Sequence, residues 1–128
     1  MRVLIDTHIA LWAMANDSRL SMAARNIIED EDNELFFSAI SLCEISLKHK
    51  VHPDQMPVDA HDAKAAFVAV GYIELLFDSS HAEAMDELPM FHRDPFDRML
   101  LAQAKAENMK LLSHDNRFPP YGDFVIAV

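Results

Sequence analysis

Arg2-Val3-Leu4-Ile5-Asp6-Thr7-His8-Ile9-Ala10-Leu11-Trp12 is the stretch on which the fold turns. Val3, Leu4 and Ile5 form an apolar run with no polar alternation, so the segment reads as a short strand buried on both faces. Asp6 ends the run, and a helix is predicted from Thr7 to about Ala15. The same unit recurs downstream. Leu35 to Ala39 reads as a strand and Ser41 to Lys50 as a helix. Tyr72 to Leu76 reads as a strand and Ser79 to Leu88 as a helix. Pro95 to Asn108 reads as the strongest helix, with Asp94 as N-cap and Pro95 at N1. Lys110 to Ser113 is a further strand, and Asp123 to Val128 a last one. Two more helices are predicted, Ser21 to Glu29 capped by Ser21, and Ala60 to Val70 ended by Gly71. The order β-α-α-β-α-α-β-α-α-β-β argues for an α/β fold with a mostly parallel sheet covered by helices on both faces.

The 128 residues suit one domain rather than two. At 51% apolar content they supply a core without staples. Cys43 is the only cysteine, so no intrachain disulfide can form, and that usage fits a reducing, cytoplasmic setting. With two residues before the first strand, no signal peptide is expected, and no apolar run is long enough to suggest a membrane span. Gly71 and Gly122 are the only glycines, which excludes a Gly-rich dinucleotide turn and a phosphate-binding P-loop.

Four acids stand where such a sheet converges. Asp6 and Asp115 follow strand-like runs, and Glu44 and Asp97 lie near predicted helix starts. In an open parallel sheet these positions meet at the carboxyl ends of the strands, where ligands bind. Gathered carboxylates repel one another, and a hard divalent cation neutralises them best. Each acid also has a structural explanation. Asp6 suits a helix cap, Ser41-Leu42-Cys43-Glu44 a capping box, Asp97 the first turn of a helix and Asp115 an Asx turn. Asp94 is the better cap of its helix, which leaves Asp97 for the cluster.

The net charge of −10 is unusual for a protein that contacts phosphates through a basic surface. The run Glu29-Asp30-Glu31-Asp32-Asn33-Glu34 reads as a solvated turn. Without those five acids the rest carries −5, of which the four candidate acids supply −4. The seven histidines form no zinc-binding pattern, although His92 and His114 flank candidate acids. Cys43 reads as a small buried side chain. Leu11, Trp12 and Met14 read as core, or as a groove for a partner helix.

At these residues the chain resembles the PIN-domain ribonucleases, and among them the VapC-type toxins of toxin–antitoxin pairs. The matching stretches are Leu4-Ile5-Asp6-Thr7-His8, Ser41-Leu42-Cys43-Glu44-Ile45, Asp94-Pro95-Phe96-Asp97-Arg98 with Leu101-Ala102-Gln103-Ala104, and Leu112-Ser113-His114-Asp115-Asn116-Arg117-Phe118. They occur in the family's order over nearly the whole chain. The resemblance implies a single PIN-like three-layer α/β/α domain over residues 1–128. It implies an endoribonuclease dependent on Mg²⁺ or Mn²⁺, with Asp6, Glu44, Asp97 and Asp115 as catalytic metal ligands. It also implies a cognate antitoxin as partner and a homodimer. Lys48, Arg93, Arg98 and Arg117 lie near the motifs as candidates to position the RNA backbone, and read equally well as ordinary surface charges or partners for local acids. Many relatives carry a second acid two residues after the position of Asp115, where this chain has Arg117, so one ion or two stays open. Two other readings belong to the same fold: an RNA-processing nuclease without an antitoxin, and an inactive PIN-like protein that binds a partner. An aspartyl phosphatase would need Asp-x-Asp after the first strand, where His8 stands instead.

Overall fold

β1 (Arg2–Ile5) lies at the centre of a five-stranded sheet ordered β3-β2-β1-β4-β5, with β2 at Glu34–Ser38, β3 at Ile73–Leu75, β4 at Lys110–Ser113 and β5 at Val125–Ala127. The computed structural model describes residues 1–128. All four strand pairings are parallel, so the sheet is wholly rather than mostly parallel. Even β4 and β5, adjacent in sequence, pair in parallel through a connection that includes a 3-10 turn at Pro119–Tyr121.

The apolar run of β1 is divided between the two faces by the two-residue period of a strand. Val3 and Ile5 join the core on one side with Phe37 and Leu112, while Leu4 joins the other with Phe36 and Leu111. α1 (Thr7–Ala15), α2 (Met22–Glu29) and α4 (Ala60–Ala69) pack on the first side through Ile9, Ala24 and Phe67. α6 (Pro95–Ala106) packs on the second through Leu100, Leu101 and Ala104, with Leu88 from the segment after α5 (Ser79–Ala84). α3 (Ala39–Val51) serves both cores, with Ile40 on the second and Ile45 on the first. The result is a three-layer α/β/α sandwich. Strand order reverses between β1 and β4, and their register Ile5↔Leu112 sets Asp6 beside Ser113. The Asp6 N–H donates to the Leu112 carbonyl at 3.0 Å.

Several boundaries differ from those expected. α3 begins at Ala39, because Ser38 at the end of β2 is the N-cap and its hydroxyl accepts from the Ile40 N–H. Ser41 and Glu44 therefore form no capping box. Ser41 is buried and accepts a hydrogen bond from the Thr7 hydroxyl at 2.7 Å. α6 stops at Ala106, with Asn108 in the left-handed region at φ 54°. The helix expected over 79–88 breaks after Ala84 into a 3-10 turn at Met85–Glu87. Cys43 is exposed rather than buried. Ser21 and Asp94 cap as expected, accepting from Ala24 and Asp97 backbone N–H groups. Gly71 ends α4 at φ 95°, a conformation that a Cβ would strain.

Candidate metal centre

Asp6, Glu44, Asp97 and Asp115 all line one cleft of about 290 Å³ at the carboxyl end of β1 and β4. Asp94, Lys48 and Arg117 share it, with His8, Trp12 and His114 at its side. The four acids reach it from four different elements, and the parallel sheet is what makes them converge.

Asp6 occupies the N-cap position of α1, yet its side chain makes no capping bond. It accepts instead from the Ser113 hydroxyl at 2.8 Å and is only 6% exposed. Burial pushes its carboxyl up to about 6, against the opposing pull of the Ser113 hydrogen bond, with Glu44 adding repulsion. Ser113 also accepts from the Asp115 N–H at 3.0 Å, so one hydroxyl ties together the two acids that follow the central strands.

Glu44 is buried in the second turn of α3. Its Oε2 accepts from Lys48 Nζ at 2.5 Å, one helical turn on. Its Oε1 is buried with no hydrogen-bond partner. An orphaned carboxylate oxygen in the interior is costly, and a cation facing it would remove the cost.

Asp97 stands in the first turn of α6, half-buried. Burial first, then repulsion from Asp6, Asp94 and Glu44, pushes its carboxyl up to about 7. His92 opposes that shift through a 2.7 Å bond from Nε2 to Asp97 Oδ2. Asp115 behaves differently. It closes the expected Asx turn by accepting from the Arg117 N–H at 2.9 Å. Its two oxygens also take a bidentate pair from the Arg117 guanidinium at 3.0 and 2.7 Å. That pairing holds its carboxyl below the usual range.

The four basic candidates part ways. Lys48 and Arg117 reach the cleft, each already paired with one of its acids. Arg93 is exposed and outside the cleft lining. Arg98 turns away: its guanidinium donates to the carbonyls of Pro89, His92 and Leu88 at 3.0, 3.3 and 3.2 Å. It clamps the segment before α6.

Sequence reasoning passed over Ser113, although a serine closing an apolar strand two residues before a candidate acid was a usable signal. It also gave His92 no settled place, and nothing local reveals that this residue is buried between Asp97 and Asp115.

Beside the acidic cleft lies a larger, mostly apolar groove of about 810 Å³ between α1 and α4, lined by Leu11, Met14, Met56 and Phe67 among others. His8 and Trp12 border both depressions. Trp12 stands edge-on to His8 and His114, with the Arg19 guanidinium 5.1 Å from its ring centre. The groove is the larger hollow, but the two carboxyls with raised pKa, Asp6 and Asp97, are in the cleft, which is therefore the better candidate for chemistry.

The family model described as PIN domain matches residues 3–123 of the chain. Ribonuclease VapC22 of Mycobacterium tuberculosis (strain ATCC 25618 / H37Rv) is 31% identical over 115 residues, which are 90% of this chain and 88% of that protein. Among solved structures, VapBC2 from Rickettsia felis bound to a DNA fragment from its promoter superposes with a TM-score of 0.71 at 17% identity, covering 100% of this chain and 98% of that one. A toxin–antitoxin complex from Klebsiella pneumoniae gives 0.67 at 16% identity, covering 98% and 96%. At such identities the structural likeness speaks for the fold.

Proposed function

The chain belongs to the PIN-domain family, and on that footing we propose that it is a metal-dependent endoribonuclease acting as the toxin of a type II toxin–antitoxin pair. Residues 1–128 act as one PIN-like domain. Asp6, Glu44, Asp97 and Asp115 form its catalytic metal site. The observation that carries this reading is Glu44 Oε1, buried and unpartnered in a cleft where two neighbouring carboxyls are pushed up to about 6 and 7. An all-oxygen donor set with unrelieved negative charge fits a hard divalent cation such as Mg²⁺ or Mn²⁺.

Asp6, Glu44 and Asp97 would hold the cation, with Asp115 bordering it while tied to Arg117. When bound, such an ion lowers the proton affinity of water and neutralises charge building on a phosphodiester. The chain itself supplies the alignment. Ser113 fixes the rotamer of Asp6 and the position of Asp115 together. Lys48 and Arg117 place positive charge beside the acids, where a phosphodiester backbone would enter. A chain of net charge −10 thus recruits RNA through the cleft rather than through a broad basic surface.

The partner reading rests on the groove beside Trp12. Its apolar lining and position against the acidic cleft suit an amphipathic antitoxin segment. A basic side chain of that segment could then enter among the carboxylates, and arginine suits the role because it stays charged and pairs bidentately. A homodimer is the expected assembly, on the resemblance to VapC-type toxins.

Expression in cells tests the proposal. The protein alone should slow growth, co-expression of the product of the adjacent gene should restore it, and Asp97→Asn should abolish toxicity while still binding that partner. Growth inhibition undiminished in Asp97→Asn would refute a ribonuclease toxin. Cleavage without any growth effect would favour an RNA-processing nuclease.

A further inference from the structure

His92 is the buried polar residue at the edge of the acidic cleft that has no assigned role, and a role for it rests on reading that cleft as a divalent-cation site. It is 2% exposed. Its ring packs against Phe118 with centroids 5.6 Å apart. Its backbone N–H donates to the Tyr121 hydroxyl at 2.8 Å, and that hydroxyl donates to the Pro89 carbonyl at 2.8 Å. Its carbonyl accepts from Arg98. Ring and backbone are therefore held from several elements at once.

The ring nitrogens face different partners. Nδ1 lies 3.4 Å from the Asp94 backbone nitrogen, which donates to it. Nε2 lies 2.7 Å from Asp97 Oδ2 and 3.5 Å from Asp115 Oδ2. A backbone N–H can only donate, so Nδ1 must present its lone pair and the proton sits on Nε2. That proton points at Asp97.

Two roles suit this arrangement. The nitrogen and one oxygen from each of Asp97 and Asp115 lie within 4.8 Å of one another, close enough to share an ion. Ligation, however, needs the lone pair on Nε2, which moves the proton to Nδ1 and sets it head to head with the Asp94 N–H. The Asp94 backbone cannot yield easily, since the Asp94 side chain caps α6 by accepting from the Asp97 N–H at 3.1 Å. Donation from Nε2 agrees with every neighbour. We propose that His92 is a positioning residue: its Nε2–H holds Asp97 Oδ2 and keeps Asp97 convergent with Asp115, leaving Asp97 Oδ1 for the cation. Partners of this outer kind orient ligating carboxylates and commonly govern metal affinity.

Mn²⁺ binding to the purified full chain is the test, read by calorimetry and by the electron spin echo of bound Mn²⁺. The wild type should bind Mn²⁺ with no directly coordinated nitrogen in the echo modulation. His92→Leu should lose about 10–100-fold in affinity, the usual cost of removing an outer partner of a metal ligand. His92→Gln, which carries an N–H donor to a similar reach, should recover most of it. If His92→Leu fails to fold, His92→Asn replaces it, being polar but too short to reach Asp97. Wild-type affinity in the shortened variant overturns the proposal, as does no recovery in His92→Gln. A coordinated-nitrogen signal in the wild type that disappears on substitution makes His92 a ligand and also overturns it. A wild type that binds no Mn²⁺ overturns the cleft reading itself, which separates that failure from the failure of His92's role.

Discussion

Asp6→Asn should make the metal-free protein more stable at neutral pH while removing its response to metal. Asp6 is buried, and its carboxyl is raised from 3.8 to about 6. Each unit of such a shift is about 1.4 kcal/mol, so holding Asp6 ionised in the fold costs about 3 kcal/mol as an upper figure. Because the folded value lies above the unfolded one, the native state binds more protons between pH 4 and pH 6. Stability is full below pH 4 and falls as pH rises through 6. Asparagine keeps the shape and an oxygen to accept from Ser113, and it carries no charge. Urea unfolding in EDTA at pH 8 should therefore show Asp6→Asn more stable by about 1–3 kcal/mol, with the difference shrinking toward zero at pH 4. Adding Mn²⁺ should stabilise the parent, as any ligand specific to the native state does, and leave the variant unchanged. A variant less stable than the parent in EDTA at pH 8, or a difference that does not change with pH, would refute the claim of uncompensated charge in the cleft.

Arg98→Ala should destabilise the chain by about 2–3 kcal/mol in denaturant unfolding, since four backbone carbonyls lose a charged donor, and it should leave the salt dependence of RNA binding unchanged. Arg117→Ala should strip the guanidinium from both Asp115 oxygens, leaving Oδ1 only its backbone bond from residue 117, and raise that carboxyl toward its ordinary value. Calorimetry should show Mn²⁺ affinity rising by no more than about fivefold, the scale of an exposed ion pair, while KM for RNA increases.

The layered fold could be read from β1 outward, because a strand buried on both faces must be central and its run of Val3, Leu4 and Ile5 has no polar member. Caps with an unambiguous local signature, Ser21 and Asp94-Pro95, were also readable. Where two serines competed the wrong one stood out. Ser41 has a glutamate three residues on, but Ser38 caps, since β2 runs directly into α3. The end of α6 was invisible because it depends on Asn108 entering the left-handed region, which asparagine tolerates but does not announce. That four acids share one cleft was foreseeable from strand ends and helix starts. How each is compensated was not. Ser113 reaching Asp6 joins strand ends far apart in sequence, whereas Arg117 on Asp115 and His92 on Asp97 are short-range pairs, yet each of these side chains reads equally well as surface.

Cleavage of a single-stranded RNA by the purified chain shows whether the acidic cleft is a metal-dependent nuclease site. Products should appear with Mg²⁺ or Mn²⁺, cease on addition of EDTA and return when metal is restored in excess. Asp97→Asn, folded by circular dichroism, should yield none under any of these conditions. Undiminished cleavage in EDTA, or by Asp97→Asn, would contradict a metal-dependent ribonuclease built on this cleft.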